Sequence, residues 1–163
     1  MTAAAVTFEE LLADFEATTA RWKQFFTEHP DAAKIPTDIA GTHNIGELVR
    51  HIYAGALRTS ERILARPLSE MEKSGDLASA WELQAQASAN LRGFLATATD
   101  DTYGEIVRFP TRIAGEIVAT RRKLCLHAFI HAIRHWAQIA TILRQHGCPP
   151  DWPQDIIASP TIK

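Results

Sequence analysis

The stretch "HAFIHAIRHWAQ", from His127 to Gln138, sets three histidines at intervals of four. On an α-helix, four residues advance about 6 Å and rotate the side chain only about 40°, so His127, His131 and His135 share one face. Leu124, Ala128, Gln138 and Ile142 fall on the same arc, which makes it an inward-facing apolar stripe. A buried ring nitrogen left without a partner costs about 1–3 kcal/mol. Any fold open to this chain must therefore bring hydrogen-bond partners or a metal ion to that side of the helix.

The rest of the chain reads as further helices of similar length. From Phe8, the residues Leu11, Leu12, Phe15, Trp22, Phe25 and Phe26 recur at three-to-four spacing, with Thr7 and Glu10 as a capping box, so the first helix is predicted to run to about Glu28. Pro30, Pro36 and Gly41 break the pattern before Asn44 and Glu47 cap a second helix that ends near Ala65, ahead of Pro67. Leu77, Trp81, Gln84, Ser88, Leu91 and Leu95 trace a third, with Ser79 and Glu82 as its expected cap. Residues 100–119 mix β-branched side chains with Gly104, Pro110 and Gly115 and read as a crossover loop containing a short hairpin. Thr120 opens the last helix, which stops at Gly147. The expected architecture is an all-α four-helix bundle with one long crossover connection before the last helix, and a C-terminal tail pinned by Trp152.

At 163 residues and 46% apolar composition, the chain is expected to form a single soluble domain over residues 1–163. Seventeen basic against 19 acidic residues argue against a phosphate-seeking surface, so no nucleic-acid partner is expected. The absence of an export signal and of a long apolar run predicts no membrane partner and a cytoplasmic protein. Cys125 and Cys148 lack the spacing of a zinc-thiolate knuckle; Cys125 reads as a packed thiol and Cys148 as a more accessible one without an evident base.

Histidines four apart in a helix can chelate one ion, as in H-E-x-x-H zinc sites, but two ligands do not close a site. Candidates for the third are His51 of the second helix, the remaining rung of the ladder, or a carboxylate such as Glu47. Three successive rungs span roughly 12 Å, too far for two metal–nitrogen bonds of about 2 Å, so one rung must be a spectator. The competing reading is that these histidines are ordinary packed residues. His51 lies at the border of the apolar side, on an arc shared with Glu47, Gly55, Arg58 and Arg62. His29, His43 and His146 fall at helix ends or in loops.

"IGELVRHIYAGALRTSERIL" in the second helix, with "LHAFIHAIRHWAQIATILRQHGCPPDW" in the last, resembles the DinB-like superfamily of four-helix-bundle metalloproteins, which includes thiol-dependent transferases. There the last helix carries an H-x-x-x-H-R-G-Q type signature and the second helix one histidine, together binding a divalent metal. The resemblance implies His51, His131 and His135 as ligands, Gln138 in the signature's glutamine position, and His127 as the spectator. "HWAQ" departs from the signature, with Trp136 for arginine and Ala137 for glycine; Arg134, one residue before His135, is expected to point elsewhere.

Three imidazoles leave a coordination position for water or substrate, the layout of a catalytic site. An all-histidine set suits zinc or nickel, and iron, cobalt and copper also accept such ligands. The resemblance therefore implies a metal-dependent hydrolase or thiol transferase acting on a small molecule, which includes a low-molecular-weight thiol. The alternative is a non-catalytic bundle for metal binding, sensing or stress-related interaction. Glu47, one turn before His51, is a candidate orienting carboxylate or proton acceptor, or else a capping residue. Arg58 and Arg62 either meet an anionic substrate at the mouth or are solvated helix charges. Opposite the ladder lie Phe129, Ile133, Trp136, Ala140 and Leu143, a second apolar side that predicts a homodimer unless the irregular segment or the C-terminal tail covers it.

Overall fold

A computed structural model describes residues 5–71, 76–111 and 114–162; residues 72–75, and 112 and 113 of the expected crossover, lie outside them. Among the described residues the α-helices and strands are α1 (Phe8–Glu28), α2 (Ile45–Ile63), α3 (Leu77–Leu95), the short α4 (Asp100–Gly104), β1 (Ile106–Thr111), β2 (Gly115–Thr120) and α5 (Arg121–Gln145), with short 3-10 turns at Pro30–Lys34, Ile39–Gly41 and Ile156–Ala158. The protein is a helical bundle with one small antiparallel hairpin.

Local chemistry sets most boundaries. Thr7 and Glu10 close the predicted capping box, the Glu10 N–H donating to Thr7 Oγ1 at 3.1 Å. The α5 start is capped by Thr120, whose hydroxyl oxygen accepts from Lys123 N at 3.1 Å. Its end is marked by Gly147 at φ +73°, a left-handed conformation that favours glycine. The cap of α3 differs from expectation. Asp76, not Ser79, opens the helix: the Asp76 carboxylate accepts from Ser79 N at 2.9 Å, and the Ser79 hydroxyl turns back to the Asp76 carbonyl at 2.7 Å. An ionised carboxylate accepts more strongly than a hydroxyl and suits the positive end of the helix.

The crossover contains more order than its composition suggests. Thr99 and Thr102 form a reciprocal cap that starts α4. The hairpin follows with Ile106 opposite Thr120 and Thr111 opposite Gly115. It delivers Phe109 against the C-terminal end of α2, where the Arg62 guanidinium lies 4.0 Å above the ring.

Helix α2 is the centre of the bundle, packing on both α3 and α5. Ile45, Leu48, Ile52, Tyr53, Leu57 and Ile63 are essentially inaccessible to solvent. Tyr53 donates to Thr19 Oγ1 of α1 at 3.1 Å, and Asn90 of α3 donates to Ser60 Oγ at 3.1 Å, so two polar ties set the neighbours' register.

The second apolar side of α5 is filled within the chain. Phe129, Trp136, Ala140 and Leu143 are buried, and of that set Ile133 alone, at 37%, is exposed. Phe15 of α1 meets Trp136 at 5.5 Å and Phe129 at 6.1 Å between ring centroids, and Phe8 meets Phe129 at 6.5 Å. The argument for a dimer through Trp136 therefore loses its surface: α1 covers it, because α5 sits between two helices rather than at the margin of one core. Trp152 anchors the tail on Trp22, with centroids 5.0 Å apart, and Ser159 donates to the Asp14 carboxylate. No helix among the described residues is long and apolar enough to cross a membrane.

Candidate metal centre

The opposite side of α5 carries the ladder, and α2 supplies the residue that meets it. The His51 ring lies 5.1 Å from that of His131 and 5.0 Å from that of His135, and the latter two are 4.6 Å apart. One ring nitrogen from each can be chosen so that all lie within 4.8 Å of one another. Metal–nitrogen bonds of about 2.1 Å at tetrahedral angles set donors on the order of 3.4 Å apart, a spacing within reach of modest ring rotation. His127 sits beside His131, with centroids 5.5 Å apart, but is exposed and outside this cluster.

The approach of His131 to α2 depends on Gly55, one turn beyond His51. A Cβ at that position would lie 2.9 Å from His131 Cε1 and 3.3 Å from Nδ1, so the ring occupies the space that a side chain would take. A glycine in a helix interior costs about 0.5–1 kcal/mol relative to alanine. Here it is the condition for the imidazole to enter. Gly55 is a site residue that the sequence reading placed on the His51 arc without assigning it a role; its signal was an isolated glycine inside an amphipathic helix.

Gln138 orients the third ring. His135 Nδ1 and Gln138 Oε1 are 2.7 Å apart, and an amide oxygen only accepts, so Nδ1 carries the hydrogen and Nε2 keeps its lone pair. His135 is the most enclosed of the cluster, at 7% exposure.

Burial holds all of these imidazoles in the neutral form. His131 is pushed down to about 3, chiefly by desolvation and then by the like charges of His135, His51, His127 and Arg134. His51 is lowered by burial, then by His135 and Arg58. In His135, burial lowers the pKa and outweighs the hydrogen bond to Gln138, which raises it. Neutral imidazole is the form that binds a metal, so the donor set fits a divalent ion without competition from protons near neutral pH.

Glu47 uses its carboxylate at the helix start, accepting from His43 N at 2.9 Å, while its own N–H donates to Asn44 Oδ1 at 2.9 Å. Of the two roles weighed for it, this geometry is that of capping. Arg134 departs from expectation. It acts electrostatically on His127, His131 and His135, because seven residues after His127 the helix returns to the same face. His146 Nδ1 lies 2.9 Å from the Ile142 carbonyl at the end of α5, a helix-end role. The Cys125 thiol is buried and pushed up to about 12 by desolvation, which leaves it inert.

A helical bundle with three neutral imidazoles from two helices meeting at one point defines a class: all-α proteins with a candidate site for a metal ion. A family model described as the DinB family matches residues 1–155, and the chain belongs to that family. No curated protein matches the chain.

Proposed function

We propose that this DinB-family protein binds one divalent metal ion, zinc or nickel in the first place, through His51, His131 and His135, and acts as a metal-dependent enzyme on a small molecule. The observation that carries the reading is the meeting of three desolvated imidazoles, with donor atoms within 4.8 Å, on two helices far apart in sequence. A packed core gains nothing from three adjacent unprotonated rings, whereas a metal satisfies their lone pairs together.

When bound, such an ion acts as a Lewis acid that lowers the pKa of water or of a thiol, which suits hydrolysis or thiol transfer. The chain's own residues do the rest. Gln138 fixes the tautomer of His135, Gly55 admits His131, and the half-buried His51 and His131 leave the cluster approachable from the side of the exposed His127. Three protein ligands leave a coordination position for the reacting group.

Elemental analysis after reconstitution tests this. About one ion per chain is expected, falling to near zero in His131→Ala, with the helical circular dichroism of both proteins alike. Protein that takes up no zinc, nickel or cobalt would overturn the reading and leave a non-catalytic bundle in which the histidines merely pack.

A further inference from the structure

The charged side chains that act on the ladder histidines and His51 are arginines. Arg58 and Arg62 follow His51 at seven and eleven residues, two and three helical turns along the same face of α2. Arg58 acts electrostatically on both His51 and Arg62, and Arg62 on His127. Arg134 approaches from α5 and acts on all three ladder histidines. Positive charges from two helices are therefore felt along the histidine face.

Their partners elsewhere in the protein make the contrast. Arg92 pairs with Glu16, Arg121 with Glu105 at 2.8 Å, and Arg108 faces Glu116 at 3.9 Å. Among the described residues no carboxylate lies within 4 Å of Arg58, Arg62 or Arg134. Glu61, next in sequence to Arg62, is buried, and its carboxylate accepts the backbone N–H of Ser69 at 3.2 Å together with the Ser69 hydroxyl. Like charges four apart on a helix oppose its formation, so the pair Arg58 and Arg62 does not serve local helix stability.

One of these arginines is also held in place. Stacking of the Arg62 guanidinium on Phe109, at 4.0 Å, limits its rotamers while leaving its N–H groups free to donate. Such a preorganised planar donor matches a carboxylate better than a mobile ammonium does.

We propose that the substrate handled at the three-histidine centre carries an anionic group of carboxylate type, seated on Arg58 and Arg62, with Arg134 bounding the mouth from the opposite helix. This rests on the metal reading above and names the substrate class for it. A divalent ion adds positive charge to the same region, which strengthens the preference for an anion.

The test uses cobalt-loaded full-length protein and simple thiols, because a thiolate bound to cobalt gives a near-ultraviolet charge-transfer band that reports its seating. 3-Mercaptopropionate is compared with 3-mercaptopropanol, and 6-mercaptohexanoate with 6-mercaptohexanol, so that charge varies at two fixed chain lengths. At one length or the other, the acid is expected to bind about tenfold more tightly than its alcohol. In the double variant Arg58→Gln, Arg62→Gln the ratio is expected to fall to about one with unchanged cobalt stoichiometry and circular dichroism, while Arg62→Lys alone keeps part of the preference. Equal affinities at both lengths with an intact cobalt spectrum would overturn the anion site and leave the metal reading standing. A preference that survives the double variant would overturn the assignment to these two arginines. Failure to bind cobalt at all would overturn the metal reading, and this one with it.

Discussion

Helix α5 meets α2 and α1 with opposite chemistry. Toward α1 it presents Phe129 and Trp136, which interlock with Phe8 and Phe15 in a dry aromatic layer. Toward α2 it presents His131 and His135, which meet His51 across a gap kept open by Gly55. Only the first is satisfied by burial itself, since apolar rings need no directional partner. The second leaves ring nitrogens that burial penalises. The aromatic layer therefore supports the fold, and the histidine layer is carried by it.

The division can be broken most forcefully from the aromatic side. Trp136→Ala, at a residue 5% exposed, is expected to lower unfolding free energy by about 3–5 kcal/mol in urea titrations. The adjacent His135 should still support about one metal per chain in the folded fraction. A loss under about 1 kcal/mol would mean that the aromatic layer does not hold α5.

Gly55→Ala sharpens the comparison from the other side. The added methyl would lie 2.9 Å from His131 Cε1, so metal affinity is expected to fall at least about tenfold, roughly 1.4 kcal/mol. The metal-free variant should unfold at the same or a higher urea concentration, since alanine is favoured over glycine within a helix by up to about 1 kcal/mol. Unchanged metal affinity would show that the ring is not confined as described.

The smallest effect concerns protons. His131 has a folded pKa of about 3 against an ordinary value of 6.5, so the unfolded chain takes up the proton first as the solution is acidified. Its contribution favours the folded state above pH 6.5 and is lost progressively as the pH falls from there toward 3. Metal-free protein should therefore lose more stability between about pH 7.5 and about pH 5 than His131→Asn does. Equal losses would place the His131 ring in a solvated setting.

Much of this was legible in the chain because it is local. The caps at Thr7, Asn44 and Thr120, the stop at Gly147 and the face-sharing of His127, His131 and His135 follow from hydrogen bonds and spacings within a few residues. The errors were also informative. Ser79 with Glu82 has the form of a capping box, but Asp76, three residues earlier, is the cap that forms. Short α4 escaped because a single turn has no period to detect. Arg134 was judged by its adjacency to His135 rather than by its seven-residue return to the face of His127. The dimer argument assumed that a helix has one interior side, whereas α5 lies between two neighbours.

The amino-acid order on its own determined the long helices, their ends and the rows of side chains along each one, since a helix carries its period in its own backbone bonds. Only the tertiary structure decided how far each helix is rotated about its axis. That rotation brings His51 rather than Glu47 or His127 to the 131/135 pair, lets the imidazole of His131 into the space over Gly55, and turns Trp136 toward Phe15. It is set by the packing of side chains from distant parts of the chain, a term that no window of neighbouring residues contains.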